Sequence, residues 1–215
     1  MPRPPSLDPD LAGRLLASGP EALDDPEALQ AAAGLGPAEA AALIAEFGSL
    51  PQVLAAAPAA LARIVPAAQA ARIALLTDVA RRLLAAPLRA RPVLSGAQAV
   101  ADYLRAVLAG RGREQLRGLF LDKRNRLIRD EILGEGTIDH VPVYPREIVR
   151  RALELDAAAV VLAHNHPGGL EVPSAADVAA TRQVIDAGRV LRIAVHDHFL
   201  VADRKVVSLR GLGLL

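Results

Sequence analysis

The chain contains no cysteine and no tryptophan, only two lysines (Lys123 and Lys205), and five aromatic residues in 215: Phe47, Tyr103, Phe120, Tyr144 and Phe199. Each shortage closes off a class of function. Without cysteine there is no disulfide framework and no thiolate metal site, so a metal could be held only through nitrogen and oxygen, and a reducing cytoplasm is the natural compartment. Five scattered aromatics do not make a base-stacking surface. No apolar run reaches the ~18–20 residues of a membrane span. The opening MPRPPSLDPD is too polar and proline-rich for a signal peptide. A net charge of +1 provides no global attraction for nucleic acid. The dominance of arginine over lysine, with abundant Ala, Gly and Pro, reads as the codon bias of a GC-rich genome rather than as a binding signature.

What the chain does have is a helical first half. Leu11, Leu15 and Leu16 recur at helical spacing within residues 8–18, before Gly19-Pro20. Asp25-Pro26-Glu27 starts a second helix that Gly34 ends, and Gly36-Pro37 a third that ends at Gly48. Ser49 and Pro51 open a short fourth. Pro66 precedes a longer amphipathic segment through Ala85, with Ile73, Leu76, Val79, Leu83 and Leu84 as its apolar side. The stretch AAPLRARP, Ala85 to Pro92, carries two prolines and no periodicity and reads as a linker. Expected boundaries are a helical domain over 1–86, a linker over 87–94 and a second domain over 95–215.

The second domain reads as mixed α/β. Ser95-Gly96-Ala97-Gln98 is a capping box for a helix to about Ala109. Strands are expected at 115–121 and 126–133, joined by a turn at Asp122-Lys123-Arg124-Asn125. Gly134-Glu135-Gly136-Thr137 reads as a loop. A helix from Pro145 to Leu155 leads to the apolar run Ala157–Ala163, a buried strand. A further helix follows from Ser174 to Gly188, and strands at 193–202 and 205–208 close the chain.

Chemistry concentrates at the end of the buried strand. His164-Asn165-His166-Pro167 forms an H-x-H, and seven residues separate His166 from the S-x-x-D of Ser174 and Asp177. Histidines at i and i+2 leave an extended strand on the same side, and Pro167-Gly168-Gly169 loosens the chain so that Asp177 can return to them. Two imidazoles and one carboxylate suit a catalytic Zn²⁺ with its fourth position left to water. A plainer reading competes: Ser174 with Asp177 is also a helix N-cap with an acid at N3, and two histidines can be ordinary polar groups.

His164, His166, Pro167, Ser174 and Asp177 resemble the JAMM motif of the MPN+ (JAB) metalloprotease-like domains. The run HNHPGGLEVPSAADVAATRQVIDAGRVLRIAVHDHFLV, the preceding LFLDKRNRLIRDEILGEGTIDHVPVYPREIVRRALEL and the closing KVVSLRGLGLL resemble the bacterial RadC family in particular. The resemblance is dense from Glu114 to the C-terminus. It implies a JAB/MPN-like mixed sheet flanked by helices behind a small all-α helix-hairpin-helix-like domain. It further implies His164, His166 and Asp177 as ligands of one Zn²⁺, Ser174 beside the bound water as oxyanion donor, and Glu114 as general base. Glu131, Glu135, Glu147 and Glu171 are rivals for that last role. Glu147 is better explained as first-turn charge on the Pro145 helix, and Glu171 lies inside the metal loop.

The chain also departs from the family pattern. Gly168-Gly169 stands where many relatives have a serine, and His196 where an apolar residue is expected. His196-Asp197-His198 is a second H-x-H. It could form a second metal site with His140, a partly exposed strand face, or support for the first site. The hairpin expected to meet DNA phosphates, Ile64-Val65-Pro66-Ala67-Ala68, has no glycine, and Pro66 has no N–H. Arg72, Arg81 and Arg82 form a basic side of the helix that reads first as a solvated face.

The leading expectation is a zinc-dependent hydrolase that cleaves an amide or isopeptide bond in a peptide or protein substrate. The alternative is a DNA-associated repair or recombination factor with weak DNA binding through the helical domain. A scaffold with a purely structural metal ranks last. No membrane association is expected.

Overall fold

The computed structural model describes residues 8–90, 93, 97–136, 142–202 and 205–215. The chain divides into two compact units, Met1–Ala80 and Arg81–Leu215. No helix among the described residues is long and apolar enough to cross a membrane.

The first unit is all-helical. Helices α1 (Pro9–Ser18), α2 (Asp25–Ala33), α3 (Pro37–Phe47), α4 (Leu50–Ala55), α5 (Pro58–Leu61) and the start of α6 (Ala67–Ala90) follow one another, with a 3₁₀ turn at Pro20–Ala22. Proline opens several of them because its missing N–H falls among the donors that have no partner at a helix start. Asp24 caps α2 by accepting from the Glu27 amide at 2.9 Å, and the Glu27 carboxylate accepts from the Asp24 amide at 3.0 Å. Gly34 ends α2 at φ 68°, a left-handed conformation that an L side chain resists. Leu29, Leu43, Val53, Leu61, Val65 and Ile73 form the core. Val65, in the hairpin between α5 and α6, is part of that core.

Helix α6 departs from expectation in two ways. The residues expected on its apolar side divide: Ile73 is buried, but Leu76, Val79 and Leu83 are exposed. The helix also continues through Pro87 to Ala90, across residues expected to be linker. Its early turns place Ala70 and Ile73 in the first core and its last turns place Ala85 and Leu88 in the second. Burying Leu88 and Ala85 outweighs the helix-breaking tendency of Pro87, which removes one backbone donor close to the helix end. The expected capping-box residues Ser95 and Gly96 and the expected loop residue Thr137 lie outside the described residues.

The second unit is a three-layer α/β domain. Strands β1 (Gln115–Leu121), β2 (Leu127–Glu135), β3 (Ala159–Asn165), β4 (Ala194–Ala202) and β5 (Lys205–Ser208) form one sheet in the order β2-β1-β3-β4-β5. The β3–β4 pair is parallel and the other neighbours are antiparallel. The parallel pair requires a crossover, which helix α9 (Ala175–Val190) supplies. Helix α7 (Ala97–Leu108) packs on one face, over Leu119, Leu121, Val161 and Ala163. Helix α8 (Pro145–Glu154) and α9 cover the other, over Leu116, Phe120, Val160 and Leu162. The central strands β1 and β3 are therefore buried on both faces. This explains the unbroken apolar run before His164. Gly134 and Glu135, expected in a loop, extend β2.

Under α7 lies a buried polar network. Arg117 makes two hydrogen bonds to Asp130, at 2.9 and 2.7 Å, and the Tyr103 hydroxyl also donates to Asp130. Burial first, then the Asp130 charge, pushes the Tyr103 phenol up to about 12, so it stays a donor.

Candidate metal centre

Strand β3 delivers the two histidines. Backbone alternation sends His164 to the α9 face, continuing Val160 and Leu162, and sends Asn165 to the opposite face. His166 follows the last strand residue and its amide still bonds to Val201 O at 3.0 Å, so both imidazoles leave a chain fixed by the sheet. The loop then turns, with Gly169 at φ 73°, and Ser174 caps α9. Asp177, at N3 of that helix, faces back toward the histidines.

The three side chains converge. His164 Nε2 lies 3.1 Å from His166 Nε2 and 3.5 Å from Asp177 Oδ1, and His166 Nε2 lies 3.7 Å from Asp177 Oδ2. A tetrahedral ion with bonds of ~2.0–2.1 Å spaces its ligand atoms about 3.3–3.4 Å apart. The closest approaches bracket that value, with the two histidines meeting different oxygens of Asp177, so the cluster could hold a metal ion through nitrogen and oxygen alone. The His166 Nδ1–H donates to Leu170 O at 2.9 Å, which leaves Nε2 as the nitrogen free to coordinate.

Electrostatics suit a ligand role. Burial opposes ionisation of Asp177, but the adjacent His164 imidazole and the hydrogen bonds donated by the Ser174 hydroxyl and amide outweigh it, so the carboxyl sits well below its ordinary range. The Ser174 hydroxyl donates to Asp177 Oδ2 at 2.7 Å and accepts from the Asp177 amide at 3.1 Å. Ser174 is therefore both the helix cap and the clamp on the Asp177 carboxylate.

Glu114 is buried, and its Oε1 stands 3.9 Å from His166 Nε2. Asn165 holds it in place from the other face of β3. The Asn165 Oδ1 accepts from the Gln115 amide at 2.9 Å, and its Nδ2 donates to Arg113 O at 3.1 Å. The regular β1–β3 pairing ends at Leu116 opposite His164, so this side chain extends the ladder by one step, around Glu114.

The rival glutamates are engaged elsewhere. Glu131 pairs with Arg151, Glu135 with Gln115, Glu147 with Arg150, and Glu171 with Lys205 at 2.6 Å. None of the four belongs to the His164–His166–Asp177 group.

The second H-x-H is split. The β3–β4 register slips between Val160 and Val161, which face Val195 and Asp197, and His196 is the unpaired residue of this bulge. His196 bonds to Asn125 Oδ1 at 2.7 Å. His198 instead reaches the site: its Nε2 lies 2.8 Å from His164 Nδ1, and its Nδ1 lies 2.6 Å from Thr181 Oγ1. Burial, reinforced by the neighbouring His164, holds His198 well below its ordinary value, so it is neutral at pH 7. His140 lies outside the described residues. The support role for the second pair thus belongs to His198 and the partly exposed strand position to His196. Thr181 and Asn165 were not anticipated. Thr181 lies four residues after Asp177 on α9, a spacing that permits a hydroxyl bond to the Asp177 carbonyl but is too common to single it out.

A mixed sheet between α7 and the α8/α9 layer, with His-His-Asp at the end of its central strand, defines a JAB-type domain with a candidate metal site. The chain belongs to the RadC-like JAB domain family, whose model matches residues 94–214.

Proposed function

We propose that the second unit is a zinc-dependent hydrolase of the JAMM type, acting on an amide or isopeptide bond of a peptide or protein. The observation that carries this reading is the convergence of His164, His166 and Asp177 with a buried carboxylate, Glu114, 3.9 Å from a ligand nitrogen. Two nitrogens and one oxygen match zinc's preference and leave a coordination position open. A zinc ion held there would supply a Lewis acid and lower the pKa of a water toward ~7.

The remaining work falls to this chain's own groups. Asp177, His164 and His166 would hold the ion. Glu114 takes a proton from the attacking water and passes it to the leaving nitrogen as the C–N bond breaks. Ser174 keeps the Asp177 carboxylate oriented and, by turning its O–H, donates to the oxygen on which charge develops.

The test is Glu114→Gln, assayed for metal content and for turnover in a screen of fluorogenic peptides and isopeptides. The variant is expected to keep its metal and lose turnover. Metal loss in Glu114→Gln would make Glu114 a ligand and overturn its assignment as base.

A further inference from the structure

The hydrogens around His164 can be placed by donor and acceptor bookkeeping alone. A backbone carbonyl only accepts, so the Thr181 hydroxyl, 2.6 Å from Asp177 O, must donate its hydrogen there. The Thr181 oxygen then has only lone pairs for His198 Nδ1 at 2.6 Å, and that nitrogen carries the hydrogen. With one hydrogen on each ring, His198 Nε2 is bare and accepts from His164 Nδ1–H at 2.8 Å. His164 is left with a bare Nε2, and this is the nitrogen that faces His166 and Asp177. No link can be reversed while the neutral chain ends on a carbonyl.

The path also closes on itself. It starts at the backbone of one ligand residue, Asp177 on α9, crosses to β4 through His198, and ends on the ring of another ligand, His164 on β3. Thr181 is 0 % exposed and His198 2 %, so water does not compete for either bond.

We infer that Thr181 and His198 are positioning residues that fix the tautomer and ring orientation of His164, and thereby set the site's metal affinity. This rests on the metal-site reading above but requires no substrate. The hydrogen-bond partners of ligand histidines tune affinity by orienting the ring and holding the ligating nitrogen deprotonated.

The experiment uses full-length protein and zinc alone, with affinity measured by competition against a chromophoric chelator. Thr181→Val keeps the shape and removes the hydroxyl, and should weaken zinc binding by about 10–100-fold. Thr181→Ser restores the hydroxyl and should bind like wild type. His198→Phe should match the loss in Thr181→Val. His198→Gln, whose amide can accept from His164 and donate to Thr181, should recover most of it. Thermal unfolding of each chelator-stripped protein reports whether packing alone has changed. Wild-type affinity in a folded Thr181→Val, or Thr181→Ser as weak as Thr181→Val, overturns the inference by itself. Should Thr181→Val not fold, equal affinity in His198→Gln and His198→Phe overturns it. A wild type that binds no zinc overturns it together with the metal-site reading, so the two failures are distinguishable.

Discussion

Replacing Asn165 by alanine should unfasten β1 from β3 at the point where Glu114 is held. Two bonds go at once: the Gln115 amide loses the Oδ1 acceptor at 2.9 Å, and Arg113 O loses the Nδ2 donor at 3.1 Å. The two losses are unequal. Gln115 is 2 % exposed, so its amide is left without water to replace the bond, at ~1–3 kcal/mol. Arg113 is exposed and its carbonyl can turn toward solvent, so that term is below about 1 kcal/mol. The expected cost is therefore about 1–4 kcal/mol, concentrated at one end of β1. Hydrogen exchange read by NMR at the Gln115 amide, alongside urea unfolding, measures both the local and the global effect. Asn165→Asp keeps the acceptor and should retain more protection at that amide than Asn165→Ala. Unchanged exchange at Gln115 and an unchanged urea midpoint in Asn165→Ala would refute the view that this side chain carries the last step of the ladder.

Three further outcomes are expected. Ser174→Ala removes the α9 cap and the clamp on Asp177. It should cost ~1 kcal/mol in thermal unfolding and, if the hydroxyl also serves the oxyanion, on the order of 10²-fold in turnover; a stability change without a rate change would leave Ser174 as a cap alone. Gly188→Ala would place a Cβ 2.5 Å from Ile193 O, where α9 meets the lead-in to β4, so backbone must shift at ~1–3 kcal/mol. A wild-type melting temperature would contradict that close approach. In the first unit, hydrogen bonds from the Arg14 side chain and the Asp24 backbone lower the Glu27 carboxyl from the ordinary 4.5 to about 2. A carboxyl lowered on folding stabilises the fold above its unfolded value, and this contribution is lost as pH falls from about 4.5 toward about 2. Glu27→Gln should flatten the acid limb of the melting profile, and an unaltered limb would count against the pairing.

Much of this architecture was legible because local chemistry and tertiary structure agree. Proline at helix starts, Gly34 and Gly48 past helix ends, and the apolar run before His164 each specify an element with little help from elsewhere. The candidate metal cluster was legible for the same reason: H-x-H, a Gly/Pro loop and S-x-x-D lie within fourteen consecutive residues, His164 to Asp177. Where the reading failed, distant contacts decide. Pro87 stays helical because Leu88 and Ala85 bury in the second core. Leu76, Val79 and Leu83 share a helical stripe with Ile73 but not its burial. His196 and His198 have the same spacing as His164 and His166, yet a bulge, set by pairing with β3, splits them. The roles of Asn165 and Thr181 depend on bonds to Gln115 and His198, 50 and 17 residues away in sequence, which no local pattern encodes.

The central claim is that His164, His166 and Asp177 form one zinc site, and elemental mass spectrometry of purified wild type and His166→Ala tests it most directly. The expected result is about one zinc per wild-type chain, lost in the variant. Wild-type protein without tightly held metal, or a His166→Ala that keeps its zinc, would contradict it.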